Sequence, residues 1–120
     1  MKPIIFKKKG QAHFTKKWDE GTASDRIILP EADDCLVKVT MFRPKAGFSV
    51  EKIVYACDET VHMVSGKITI RITDGSDVVL VPGDTYYVPG GTPYGLTVQE
   101  GGDIFCVFSR AADGKLPDNT

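Results

Sequence analysis

Turn-forming clusters of Gly, Pro, Asp and Ser break the chain at intervals of roughly 8 to 12 residues from Gly66 onward, a rhythm that suits short antiparallel strands and excludes long helices. The clusters are Pro44 to Gly47, Gly66, Asp74-Gly75-Ser76-Asp77, Pro82-Gly83-Asp84, Pro89-Gly90-Gly91-Thr92-Pro93 and Glu100-Gly101-Gly102-Asp103. The segments between them alternate with a period of two. Lys67 to Ile72 places Ile68, Ile70 and Ile72 on one face and Lys67, Thr69 and Arg71 on the other. From Cys35, the residues Cys35, Val37, Val39, Met41 and Arg43 alternate with Leu36, Lys38, Thr40 and Phe42, and the more apolar set is expected to face inward. Strands are predicted over 50–56, 59–64, 67–72, 78–81, 86–88, 95–99 and 104–109. No window of ten residues carries helical periodicity. The fold class is all-β, an antiparallel sandwich or barrel.

The 120 residues suffice for one domain, with a basic arm over 1–34, a barrel over 35–110 and a loose polar tail over 111–120. Residues 3–6 read as a short edge strand, 7–20 as irregular, and Ile27-Ile28-Leu29 as a weak strand. Phe14 and Trp18 are expected to anchor the arm to the core or to a second chain. Six lysines and no acid fall in the first 17 residues, against a net charge of -1 overall, so the arm should lie on an acidic body. No stacking platform or recognition helix accompanies those lysines, and nucleic acid is not an expected partner. The apolar runs are too short to span a bilayer, and the start has no signal-peptide core, so a cytoplasmic location is expected and no membrane association. Cys35, Cys57 and Cys106 are odd in number and scattered, which fits free thiols. Edge strands in need of cover, together with the arm, imply a homodimer, which light scattering reads directly.

Two frames of fixed spacing carry a resemblance. The first runs Gly47, Ile53-Val54-Tyr55, Glu59, Gly66; the second runs Gly83, Pro89, Gly91, Tyr94. In order and spacing they resemble the two signature motifs of the cupin superfamily, with Ile53, Tyr55 and Tyr94 where its metal-binding members carry histidines. Of the four ligand positions only Glu59 is kept. The resemblance covers roughly residues 35–109 and implies a jelly-roll barrel, also described as a double-stranded β-helix. Within the superfamily, Cys57-Asp58-Glu59 to Met63-Val64-Ser65-Gly66, Val81-Pro82-Gly83-Asp84 and Val88-Pro89-Gly90-Gly91 are similar to the ethanolamine-utilisation Q type. An acetate-kinase-like activity is associated with that type, but this chain has no P-loop and no cluster of phosphate-binding lysines to support it.

With that frame, Ile53, Tyr55 and Glu59 point into the barrel and Tyr94 faces them. A carboxylate among apolar and phenolic groups gains a raised pKa, as a general acid or base near neutral pH requires, and tyrosine hydroxyls can donate to it or to a substrate oxygen. Glu59, Tyr55 and Tyr94 are therefore the candidate catalytic residues. Arg43, placed with Met41 on the inward parity, would hold a substrate carboxylate or phosphate as a bidentate fork. Ile53, Met41 and Cys106 complete the candidate substrate-binding wall. His62 shares a face with Asp58 and Thr60 and reads as outward, and His13 lies in the arm, so no metal ligand set and no cofactor are expected. The residues leave open a catalytic pocket for a sugar-like or carboxylate metabolite, a non-catalytic binding module and a cryptic metalloenzyme. A pocket below roughly 300 Å³ with Glu59 locked to Arg43 would mark the binding module.

Overall fold

The computed structural model describes residues 2–120. Ten antiparallel strands follow in chain order: β1 Phe14–Asp19, β2 Thr22–Ile28, β3 Lys38–Arg43, β4 Ser49–Ile53, β5 Asp58–Met63, β6 Lys67–Ile72, β7 Asp77–Leu80, β8 Thr85–Val88, β9 Tyr94–Glu100 and β10 Ile104–Ser109. Two sheets face each other, with the orders β1-β2-β3-β10-β5-β8 and β4-β9-β6-β7. Among the described residues there is no helix, and none therefore long and apolar enough to cross a membrane.

Alternation drives the packing, because each strand buries one face against the opposite sheet. Val61 and Met63 of β5, Ile68 and Ile70 of β6, Leu96 and Val98 of β9, and Ile104, Cys106 and Phe108 of β10 form one apolar core. Ile68 pairs with both Leu80 and Val98, so the β6 face expected to be apolar is central in its sheet. The third isoleucine, Ile72, lies at the strand end and stays exposed.

Four expectations are corrected, the first being the edge strand at residues 3–6, where the chain pairs with no strand. Residues 7–20 are not irregular throughout, since β1 is a regular strand paired with β2 from Phe14 to Asp19. The inward parity of β3 is the opposite of the expected one: Lys38 and Thr40 are buried, while Arg43 is exposed and binds Asp25 through both guanidinium nitrogens at 2.7 and 3.0 Å. Met41 points the same way as Arg43, to the outer side, beneath residues 7–12 of the arm. The physical reason is that the outer face of β2 and β3 is itself covered, so Met41 lies there with Phe14 and Ile27 while Ser24, Arg26 and Thr40 enter the barrel. The tail is not loose either. Asp118 binds Lys38 Nζ at 3.0 Å, Thr120 O accepts from Arg26 Nε at 3.1 Å, and the Glu31 N–H donates to Asn119 Oδ1 at 2.7 Å.

The arm lies on acidic groups, as its charge implies. Lys7 Nζ and His13 Nε2 converge on Asp33 at 2.9 and 2.8 Å, and Lys2 reaches Asp34. Burial by itself would raise the Asp33 carboxyl; the Leu29 N–H, Lys7 and His13 outweigh it and hold the group down at about 2. His13 is thereby committed to the arm and not to the barrel. Trp18 packs edge-on against Phe42 and Phe48, with ring centroids 5.6 and 6.4 Å away, and so ties β1 to the core as expected.

Candidate functional site

The barrel encloses a cavity of about 170 Å³, open at one side and lined from both sheets. Ile53 at the end of β4, Tyr55 in the loop after it, Glu59 on β5, Tyr94 at the start of β9 and Cys106 on β10 all line it. Five of the seven residues singled out from the sequence thus meet in one place. Arg43 and Met41 do not reach it, for the parity reason given above.

Glu59 is the centre of the arrangement. It is 5% exposed, and the Tyr94 hydroxyl donates to its Oε1 at 2.6 Å. Burial pushes the carboxyl up to about 7, although the Tyr94 hydrogen bond and the positive charge of Lys38 both pull the other way. No described residue hydrogen-bonds Oε2. The phenols respond in kind: burial and then the Glu59 charge raise Tyr94, Tyr86 and Tyr55 above the ordinary tyrosine range, so all three remain protonated donors. Tyr55 is the most open of them, 37% exposed, its ring edge-on to Phe108 at 5.0 Å. Cys106 is buried beside Glu59, which keeps its thiol protonated and makes it a small lining group and not a nucleophile.

The cation that lines the cavity is Arg26 of β2, which sequence reasoning missed. Thr22, Ser24 and Arg26 alternate with Ala23 and Asp25, so the buried face of β2 is polar and reads as a solvent face. Arg26 is 6% exposed, lies 5.6 Å from the Trp18 ring centroid, and donates from Nη1 to Ser24 Oγ and from Nε to Thr120 O. A guanidinium has five N–H donors, so three remain without a partner among the described residues. Lys38 of β3 is buried close enough to act on Glu59, its ammonium 4.9 Å from the Phe108 ring centroid. The one available signal was the run of small hydroxyl residues around an arginine, Thr22-x-Ser24-x-Arg26, at strand spacing.

The positions that hold a metal in metal-binding cupins carry Ile53, Tyr55, Glu59 and Tyr94 here. This set does not suit a divalent transition metal. It offers one carboxylate and phenols that burial and the Glu59 charge keep protonated, with no imidazole among them. Among the described residues no three His, Cys, Asp or Glu side chains come together as a ligand group. His62 points outward, bonded through Nδ1 to Thr85 Oγ1 at 2.8 Å.

Comparison with solved structures agrees with this fold. An RmlC-like cupin from Shewanella frigidimarina superposes with a TM-score of 0.73 at 18% identity, over 92% of this chain and 95% of that one. Ectoine synthase from P. lautus superposes at 0.75 and 23% identity, over 88% of this chain and 78% of that one. A putative ethanolamine utilization protein Q from Salmonella typhimurium superposes at 0.65 and 14% identity, over 73% and 68%. Identities this low establish the fold alone. Among curated proteins none matches. The EutQ-like cupin domain, however, matches residues 38–103, more than half of the chain and the span that holds both signature frames and Glu59. With the jelly-roll barrel, the two frames and that match in agreement, the chain belongs to the EutQ-like cupin domain family.

Proposed function

We propose that this cupin binds a small polar metabolite in its barrel without a metal and moves a proton on it, in an elimination, isomerisation or epimerisation. The observation that carries this reading is Glu59, a buried carboxyl at about 7 with one oxygen free beside a cavity. Such a group is half ionised at neutral pH and serves equally as base and acid. Its carboxylate takes a proton from a carbon next to a substrate carbonyl or carboxylate. The electron pair of that C–H bond passes to the substrate oxygen, which accepts a hydrogen bond from Tyr55. The Glu59 proton then returns to a different carbon, to a leaving hydroxyl, or, once the planar intermediate has turned over in the cavity, to its other face. Tyr94, whose hydroxyl is spent on Oε1, orients the carboxylate.

Solvent exchange tests this without knowledge of the product. Small hydroxy- and keto-carboxylates incubated in D₂O should gain carbon-bound deuterium with the protein. Glu59→Gln should slow that exchange by about 10²-fold or more, the usual contribution of a positioned general base. Equal exchange by both proteins would remove Glu59 from the chemistry.

A second reading, a binding module without catalysis, is favoured by size. The cavity of about 170 Å³ lies below the roughly 300 Å³ at which ordinary ligand sites begin. It nevertheless exceeds the ~150 Å³ that accommodates a benzene ring, so a ligand of a few carbon atoms fits. The Glu59–Arg43 lock belonging to that reading does not form, because Arg43 binds Asp25 on the outer face.

A further inference from the structure

Arg26 lines the cavity and Lys38 is buried against the ring of Phe108 in its wall, and both are bound by oxygens of one short segment near the end of the chain. Arg26 and Lys38 are each 6% exposed. The Asp118 carboxylate accepts from Lys38 Nζ at 3.0 Å, and Thr120 O accepts from Arg26 Nε at 3.1 Å. Asp118 also organises the segment internally, since its Oδ1 accepts from the Thr120 N–H at 3.2 Å and from the Thr120 hydroxyl at 2.9 Å. One exposed carboxylate therefore holds Lys38 directly and aims the Thr120 carbonyl at Arg26. The charges are shared more widely than these contacts: Asp118 acts on Arg26 as well as on Lys38, and both cations act on Cys106 in the cavity wall.

We infer that Arg26 and Lys38 form an anion subsite for the carboxylate of a small ligand, and that Asp118 and Thr120 occupy it as a displaceable internal substitute. The inference rests on the acid–base reading for the identity of the cavity as a ligand site, and it adds the substrate class. Arg26 retains a planar edge of unpartnered donors suited to a carboxylate, and Lys38 supplies a point charge next to it. Both are 6% exposed, so each is favoured by an acceptor supplied by the chain or by a ligand. The Asp118 side chain is 70% exposed, so the substitute can swing out to water without unpacking the core, provided a ligand carboxylate takes its place on Lys38. A ligand carboxylate would place its adjacent carbon in the cavity that Glu59 borders.

The test uses the full chain and Trp18, the only tryptophan, whose ring lines the cavity over Arg26. Acetate, glycolate and malonate are titrated by tryptophan fluorescence and by ligand-observed NMR, with acetamide as the neutral control. Asp118→Ala, which removes an exposed side chain and leaves the barrel intact, should tighten carboxylate binding roughly five- to tenfold, since a competing internal state lowers apparent affinity by its own population. Acetamide binding should not change. Arg26→Gln should lose carboxylate binding and Arg26→Lys should keep part of it, which separates loss of charge from loss of fold. Unchanged or weaker carboxylate binding in Asp118→Ala, or equal gains for acetamide, would overturn the subsite. Carboxylate binding that behaves as stated while deuterium exchange fails would instead overturn the role of Glu59 and leave the subsite standing.

Discussion

Glu59→Gln is expected to make the protein more stable than the parent at pH 8 by about 3 kcal/mol and nearly isostable with it at pH 4. The sign follows from the direction of the shift. Burial raises the folded-state carboxyl to about 7, so between its ordinary range and that value the folded protein binds a proton that the unfolded chain has released. Stability falls as pH rises through this window and is level above it. Glutamine keeps the shape and accepts the Tyr94 hydroxyl but has no charge to desolvate. Other carboxylates, Asp33 among them, titrate identically in both proteins and cancel in the difference. Urea unfolding at pH 4, 6 and 8 measures the gap; a gap that does not change with pH would mean that Glu59 is not the desolvated acid described above. Together with lost deuterium exchange, a gain in stability would mark Glu59 as a residue retained at a cost to the fold.

The second large effect is expected at Gly90. A Cβ there would stand 2.3 Å from Ala56 O and 3.0 Å from the Ala111 side chain, and the backbone oxygen has no flexible end with which to yield. Gly90→Ala should cost about 3 kcal/mol or more through overpacking and displaced backbone. The damage would be local to the site, because the Gly90 N–H donates to Asp58 Oδ1 at 2.8 Å and the Gly91 N–H donates to Tyr55 O at 2.7 Å. These bonds set Tyr55 at the rim and the start of β5, and hence Glu59. Gly91→Ala is the control: its Cβ meets nothing within 4 Å, but its φ of +83° is left-handed, so a cost of about 1 kcal/mol is expected. Denaturant midpoints for the two variants decide between them, and a Gly90→Ala no worse than Gly91→Ala would contradict the close approach.

The legible part of this chain was the part in which apolar residues face the core alone. β6 is such a strand; its bounds 67–72, and those of the largely apolar β10 at 104–109, were read residue for residue. The Glu59–Tyr94 contact, 35 positions apart, was legible through the spacing of the two frames. The β3 parity failed because its two faces are both covered, so hydrophobicity no longer distinguishes inside from outside. Thr40 lines the cavity and Lys38 is buried against Phe108, while Met41 lies under the arm. Arg26 was missed for the related reason that a strand burying Thr22, Ser24 and an arginine has no apolar stripe to announce it. The tail was misjudged on composition, since its anchors are a carboxylate, an amide and one backbone oxygen that bind residues 80 or more positions away.

That last separation bears on the order in which the molecule assembles and opens. The loop from Leu29 to Lys38 is clasped from two directions, by Lys7 and His13 on Asp33 and by Asp118 and Asn119 on Lys38 and Glu31. The second clasp joins residues 80 and 88 positions apart and the neighbouring Arg26 contact joins residues 94 apart, among the longest chain closures in the fold. Each closure of that length is favourable only after the intervening strands have shortened the path, so it forms late and, with few apolar contacts behind it, is released early. Amide exchange along 116–120 and 29–35 should therefore follow a local opening, while β5, β6 and β10 exchange only with the whole barrel.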